Sequence, residues 1–149
     1  MTLPSHCAFT EADFPNIQAD GYTITSPQDR AYNCIAYAAG DYQRWWWPAS
    51  FGGPYWPPGV PVATTLDAFE QAYALLGYAR CADGTHEPDV QKIAIYADSS
   101  GSVRHAAIQL PDGKWSSKLG ESWDLTHTTP DGVAGSIYGS VACFMSRPA

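Results

Sequence analysis

The chain has 149 residues, enough for one domain that buries a hydrophobic core of its own. Apolar residues make up 45% of it and charged residues 15%, so we expect a folded chain rather than a disordered one. The net charge of −7, with no basic segment to offset it, argues against binding to nucleic acid or to an anionic membrane surface.

We predict a single domain over residues 1–149. Its first part, residues 1–25, has few periodic apolar positions, which favours an irregular N-terminal arm with a short strand at 22–24. This N-terminus lacks a basic start followed by an apolar segment, so we expect a cytoplasmic protein, with export by a dedicated secretion system as the alternative. No apolar run approaches the length of a transmembrane helix, so no membrane span is expected.

A helix is predicted from Cys34 to near Arg44, because Ile35, Ala38, Ala39 and Tyr42 follow the spacing of one buried helical face. Asn33 is a suitable N-cap, since its side-chain oxygen can accept a free amide of the first turn. Cys34 would then lie in that first turn, where the helix dipole favours negative charge. We therefore expect the pKa of its thiol to be lowered, as in a cysteine nucleophile.

Residues 45–63 form an aromatic loop, too rich in Pro and Gly for a regular element. Its aromatic side chains are candidates for a substrate-binding wall; the alternative is a loop that these side chains attach to the core. The candidates are Trp45, Trp46, Trp47, Tyr55 and Trp56. A second helix follows, with Thr64 as its N-cap and a C-terminal stop at Gly77.

The rest of the chain reads as a β-meander after a polar loop at 80–89. Strands are predicted at 91–97, 103–110, 115–119 and 137–145, with a polar loop at 120–136. The fold class is therefore α+β, with N-terminal helices packed on a C-terminal antiparallel β-meander. Lys118, in the third strand, is expected to face water.

His105 stands near the start of the second of these strands. At an exposed strand end it could take the proton of the Cys34 thiol, as a general base does in cysteine hydrolases; the alternative is a structural histidine. The four cysteines, Cys7, Cys34, Cys81 and Cys143, are widely spaced and are expected to be reduced, although a Cys7–Cys81 bridge is open. A metal site from Cys34, His105 and His127 has no supporting spacing, so no metal or cofactor is predicted.

The segment from His105 to Ser117, HAAIQLPDGKWSS, resembles the catalytic-histidine hairpin of the NlpC/P60-like branch of papain-fold cysteine peptidases. The order of Cys34 on a helix before this hairpin is also similar. The resemblance implies a papain-like fold, Cys34 as nucleophile and His105 as general base. The chain further resembles small uncharacterised bacterial proteins that share its Asn-Cys, triple-Trp and Ser-Lys-Leu-Gly segments.

The resemblance also implies an orienting group for His105 and a donor to the oxyanion. The orienting position falls on Ser117, where the family often has histidine; Glu121, Asp124 and His127 are the alternatives. Gln28 lies six residues before Cys34, at the spacing of the oxyanion-hole glutamine of papain-like enzymes, and the backbone amide of Cys34 is the other candidate donor. The family has Asp and a small residue on either side of its cysteine, where this chain has Asn33 and Ile35.

Two functions follow from these observations. The first is a cysteine-dependent hydrolase or acyltransferase that cleaves an amide or isopeptide bond, in a peptidoglycan stem peptide or a protein side chain. Its substrate-binding residues would be Gln28, Asn33 and the aromatic residues of the 45–63 loop. The second is a non-catalytic binding module of the same fold, which would bind a peptide, glycan or protein partner with its Trp-rich surface. The sequence does not indicate an oligomeric state.

Overall fold

The computed structural model describes residues 13–26, 31–49, 53–119 and 124–149. Cys7, Gln28, Phe51 and Glu121 lie outside the described residues. The oxyanion role predicted for Gln28 and the alternative role of Glu121 therefore stay predictions. Cys81 is a free cysteine, so the Cys7–Cys81 bridge that the sequence left open is not formed.

A seven-stranded antiparallel sheet forms the centre of the fold, with strand order β1-β6-β5-β4-β3-β7-β2. The strands are β1 (Tyr22–Ser26), β2 (Ala79–Cys81), β3 (Val90–Ala97), β4 (Val103–Gln109), β5 (Trp115–Lys118), β6 (Asp124–His127) and β7 (Ser140–Pro148). The predicted neighbours β3, β4 and β5 are joined by the two short turns expected from the sequence. The meander prediction is confirmed for these three strands.

Helices are few and short: α1 (Ile17–Asp20), α2 (Cys34–Ala39), α3 (Leu66–Ala74) and a 3-10 helix (Pro130–Val133). Helix α2 ends well before the predicted Arg44, because Gly40 adopts a left-handed conformation (φ +83°) that terminates the helix. Tyr42 is consequently 54% exposed instead of buried. The N-cap of α3 is Thr65, one residue after the predicted Thr64.

Two strands were not predicted, and one begins later than predicted. Strand β6 lies inside the predicted 120–136 loop, and β2 begins just before and overlaps the predicted 80–89 loop. Both are short and pair with a strand that is distant in the chain, β6 with β1 and β2 with β7; β6 also pairs with the preceding strand, β5. Strand β7 begins at Ser140 instead of 137 and pairs with β3 on the far side of the meander.

Both faces of the sheet are covered. On one face, α2 and α3 bury Ile35, Phe69 and Tyr73 against Ile93 and Ile95 of β3. On the other, the segment around α1 and the 3-10 helix buries Phe14, Ile17 and Val133 against Tyr96 and Trp115. Burial of these side chains on both faces provides the hydrophobic driving force of the fold. Among the helices that the structure describes, none has the length and hydropathy needed to cross a bilayer.

Candidate functional site

Cys34 is the first residue of α2, and Asn33 is its N-cap, as predicted. The Asn33 side-chain oxygen accepts from the Ala36 amide (3.1 Å) and from the Trp46 amide (3.1 Å). Its side-chain nitrogen donates to the Trp46 carbonyl (2.8 Å). Asn33 thus connects the start of α2 to the aromatic loop, and its polar groups are used for this purpose rather than left for a substrate.

The thiol of Cys34 lies away from water. The residue is 7% exposed, and burial raises the pKa of its thiol to about 11, although the backbone of Ala106, Ile35 and Cys34 acts in the opposite direction. The predicted lowering of the Cys34 pKa is therefore wrong. Loss of hydration disfavours the thiolate more than the first turn of α2 favours it.

His105 lies on β4 and begins a chain of three short hydrogen bonds. Its Nε2 lies 2.9 Å from Ser117 Oγ on β5, and Ser117 Oγ lies 2.8 Å from His127 Nε2 on β6. His127 Nδ1 lies 2.7 Å from the Thr129 carbonyl. Three neighbouring strands thus bring together His105, Ser117 and His127, and the last of these arrives through a strand that was predicted to be a loop.

The other ring nitrogen of His105, Nδ1, is buried and has no hydrogen-bond partner among the described residues. The imidazole stacks on the Tyr138 ring (centroids 3.9 Å apart, planes 8° apart) and contacts Tyr96 edge-on. Burial holds the pKa of His105 well below its usual range, so the imidazole is neutral at pH 7. An unpaired nitrogen in a buried histidine is costly, and such groups often mark a functional site.

Cys34 and His105 pack on different faces of the sheet. Cys34 belongs to the core under α2 and α3, together with Ala106 of β4. His105, the residue before Ala106, is fully buried instead of exposed, and it contacts Tyr96 and Tyr138 of the opposite core. The thiol and His105 Nδ1 do not form a hydrogen bond in this structure. Tyr138, which stacks on His105 and lines one pocket with Cys34, is the residue that both share.

A pocket of about 340 Å³ opens over Cys34. We call it the Cys34 pocket; its lining residues are Asn33, Cys34, Trp45, Trp47, Pro54, Arg104 and Tyr138. Tyr138 therefore contributes to the pocket and covers His105 at the same time. The walls are mainly apolar, and the one charged side chain among them, Arg104, is ion-paired to Asp98 through its Nε (2.8 Å).

Three of the predicted substrate-binding residues do not line this pocket. Trp46 is buried, and its indole nitrogen donates to Asp41 (2.9 Å). Tyr55 packs on Trp46, and Trp56 packs edge-on against Phe69 of α3. The aromatic loop therefore serves both predicted purposes: Trp45 and Trp47 form a wall of the Cys34 pocket, and the other three rings attach the loop to the core.

The alternatives for the orienting group of His105 are separated by the structure. Ser117 contacts His105 directly, and His127 contacts Ser117. Asp124 instead accepts from the Tyr32 hydroxyl (3.0 Å) and lies 3.9 Å from the Lys118 ammonium. Lys118 was expected to face water and is completely buried, with its ammonium over the Tyr32 ring. Within the described residues, His, Cys, Asp and Glu side chains form no group that could hold a metal ion.

Comparison with protein-family models matches residues 23–146 to a domain of unknown function, DUF7689. The matched range includes both helices of the Cys34 face and the whole chain of bonds from His105 to Thr129. No curated protein and no solved structure matches the chain.

Proposed function

This chain belongs to the family of the domain of unknown function DUF7689, whose description names no activity, and we propose its function from the geometry of the site. The protein is a cysteine-dependent hydrolase or acyltransferase in which Cys34 is the nucleophile and His105 is the general base. One observation carries the proposal. His105 Nδ1 has no partner among the described residues, and Tyr138, which stacks on the His105 ring, lines the same pocket as Cys34.

The pKa directions of the two groups favour a neutral resting pair. A thiol with a pKa of about 11 is protonated at pH 7, and a buried imidazole with a lowered pKa is unprotonated. His105 Nδ1 can therefore accept a proton, and Cys34 has one to give. In this proposal the proton moves as the nucleophile attacks, instead of residing beforehand in a thiolate–imidazolium pair.

The reaction proceeds by acyl transfer. The Cys34 sulfur attacks the carbonyl carbon of an amide or isopeptide bond and forms a C–S bond while its proton passes to His105 Nδ1. His105 then gives that proton to the leaving nitrogen as the C–N bond breaks. Water, or an amine in a transferase, attacks the thioester and gives a proton to Nδ1; the C–S bond breaks, and the proton returns to Cys34.

The surroundings of the pair suit this chemistry. Trp45, Trp47 and Tyr138 exclude water from one side of the Cys34 pocket, which strengthens electrostatic interactions inside it. The Ser117 hydroxyl anchors Nε2 and so leaves Nδ1 for the thiol proton. A papain-like fold is part of the same proposal, supported by the order of Cys34 on a helix before His105 and Ser117 on adjacent strands of an antiparallel sheet. The substrate would be a peptide or a protein side-chain amide, or a peptidoglycan stem peptide as the resemblance implies.

Steady-state hydrolysis of p-nitrophenyl acetate tests the proposal, because an activated ester reports acylation and deacylation without knowledge of the natural substrate. We expect Cys34→Ala to abolish turnover above background and His105→Ala to lower it by about 10² or more. His86→Ala, a change at an exposed loop histidine, is the matched control and should retain the wild-type rate. Equal rates for His105→Ala and His86→Ala would overturn the proposal.

A non-catalytic binding module is the second candidate, and the apolar lining of the Cys34 pocket together with the protonated thiol favours it. In that case the pocket would hold an apolar side chain of a peptide or protein partner, or a sugar ring, against Trp45 and Trp47. Quenching of tryptophan fluorescence by N-acetyl-phenylalanine amide, removed in Trp47→Ala, would support binding. If the esterase test also shows no dependence on His105, this second function replaces the first.

A further inference from the structure

The hydrogen bonds between His105 and Thr129 have defined directions, and these are set from the Thr129 end. A carbonyl oxygen only accepts, so the nitrogen 2.7 Å from the Thr129 carbonyl, His127 Nδ1, carries a hydrogen. Burial lowers the pKa of His127, so this ring is neutral and its other nitrogen, Nε2, is an acceptor.

Ser117 passes this constraint on because a hydroxyl has a single hydrogen. That hydrogen points to His127 Nε2, 2.8 Å away, which is the acceptor just identified. Ser117 Oγ must then accept from the other nitrogen that it contacts, His105 Nε2, 2.9 Å away. His105 is therefore the Nε2–H tautomer, and its Nδ1, which has no partner in the part of the chain that the structure describes, bears the lone pair.

We propose that His127 is a positioning residue for the proposed reaction: acting through Ser117, it holds His105 in the tautomer whose Nδ1 can take the proton of the Cys34 thiol. Without an acceptor at position 127, the Ser117 hydrogen can turn to His105 Nε2. The hydrogen of the neutral His105 ring then resides on Nδ1, where it blocks proton transfer from Cys34. The catalytic part of this inference rests on the proposed function, whereas the tautomer itself does not.

The Thr129 end is held firmly enough to set these directions. The Thr129 amide and hydroxyl both donate to the Asp20 carboxylate, with bonds of 2.6 to 3.1 Å, so the segment after β6 is fixed to α1. His127 is 1% exposed, and Trp115 of β5 and Tyr22 of β1 are its cross-strand neighbours. A buried ring held from both sides offers Ser117 one acceptor in one direction.

The test reads the tautomer of His105 directly, by ¹⁵N NMR of the full chain labelled at its histidines. We expect Nε2 of His105 to be protonated and Nδ1 to be unprotonated in the wild type. In His127→Phe the ring remains but the acceptor is lost, and we expect the hydrogen to move to Nδ1. In His127→Gln the side-chain oxygen can again accept from Ser117, and the wild-type tautomer should return. Ser117→Ala breaks the same link by a smaller change and replaces His127→Phe if that variant does not fold.

The kinetic readout is the rate of Cys34 acylation by p-nitrophenyl acetate in the same proteins. We expect a fall of about 10² in His127→Phe and recovery in His127→Gln, which a purely structural role for the ring would not produce. Protonated Nδ1 in the wild type, or one unchanged tautomer in all variants, overturns the inference. A tautomer that changes while acylation depends on neither His127 nor His105 overturns the proposed function, and the tautomer assignment stands.

Discussion

Replacement of Asn33 by Ala removes three hydrogen bonds at once and should destabilise the protein far more than loss of a helix cap. Loss of the cap on Ala36 costs about 1 kcal/mol. The same change leaves the Trp46 amide and carbonyl without their side-chain partner, and each buried backbone group left unpaired costs about 1–3 kcal/mol. We therefore expect the free energy of unfolding to fall by at least about 3 kcal/mol.

Thr65→Ala is the matched control, because Thr65 caps α3 with a single bond, to the Ala68 amide (3.3 Å). Urea unfolding of both variants, followed by far-UV circular dichroism, should give a loss near 1 kcal/mol for Thr65→Ala and the larger loss for Asn33→Ala. If the two losses are equal, Asn33 does not hold the aromatic loop, and the reasoning about Trp46 is refuted.

Three further predictions concern the thiol, the buried histidines and one glycine. A thiol pKa raised from 9.0 to about 11 leaves about a hundredfold less thiolate at neutral pH. The rate of Cys34 alkylation by iodoacetamide should therefore rise about tenfold per pH unit from pH 6 to 10. A plateau in this rate below pH 8 would contradict the raised pKa of Cys34. Burial lowers the folded-state pKa of both His105 and His127, so their contribution to stability should be complete above about pH 6.5. It should be lost as the pH falls through their folded pKa, by up to about 1.4 kcal/mol per pH unit for each histidine. His127→Gln should flatten the pH dependence of the urea midpoint, and His86→Gln should leave it unchanged. Gly139 has φ +75°, and a Cβ there would overlap the Ala97 carbonyl, so Gly139→Ala should lower the free energy of unfolding by more than about 2 kcal/mol. Gly101 has φ +87° but open space around it, so Gly101→Ala should lower the free energy of unfolding by less. Equal losses would show that crowding at Ala97 is unimportant.

Local interactions were the predictable part of the site. The cap of α2 depends on Asn33 and the residues just after it, so its position follows from the sequence. The turns after β3 and β4 carry the Asp, Ser, Pro and Gly residues that such turns require, and the three strands that they join were predicted together.

Properties that depend on tertiary burial were not predictable in the same way. Strand β6 has four residues in a polar segment, too few to display an alternating pattern, and it lies between its neighbour β5 and the distant strand β1. His127 enters the site through that strand, whereas the sequence offered it only as one alternative from a loop. The sign of the Cys34 pKa shift depends on exclusion of water from the sulfur, whereas the sequence indicated only the favourable effect of the helix start.

The most direct test of the account is the rate at which Cys34 itself is acylated at pH 7, measured peptide by peptide by mass spectrometry after exposure to p-nitrophenyl acetate. Cys81, a half-buried free thiol of the same chain, is the internal reference. We predict that the ratio of Cys34 to Cys81 acylation falls by about 10² or more in His105→Ala, because His105 Nδ1 no longer takes the thiol proton. A ratio that is the same in the wild type and in His105→Ala would contradict the assignment of Cys34 and His105 as a nucleophile and its base.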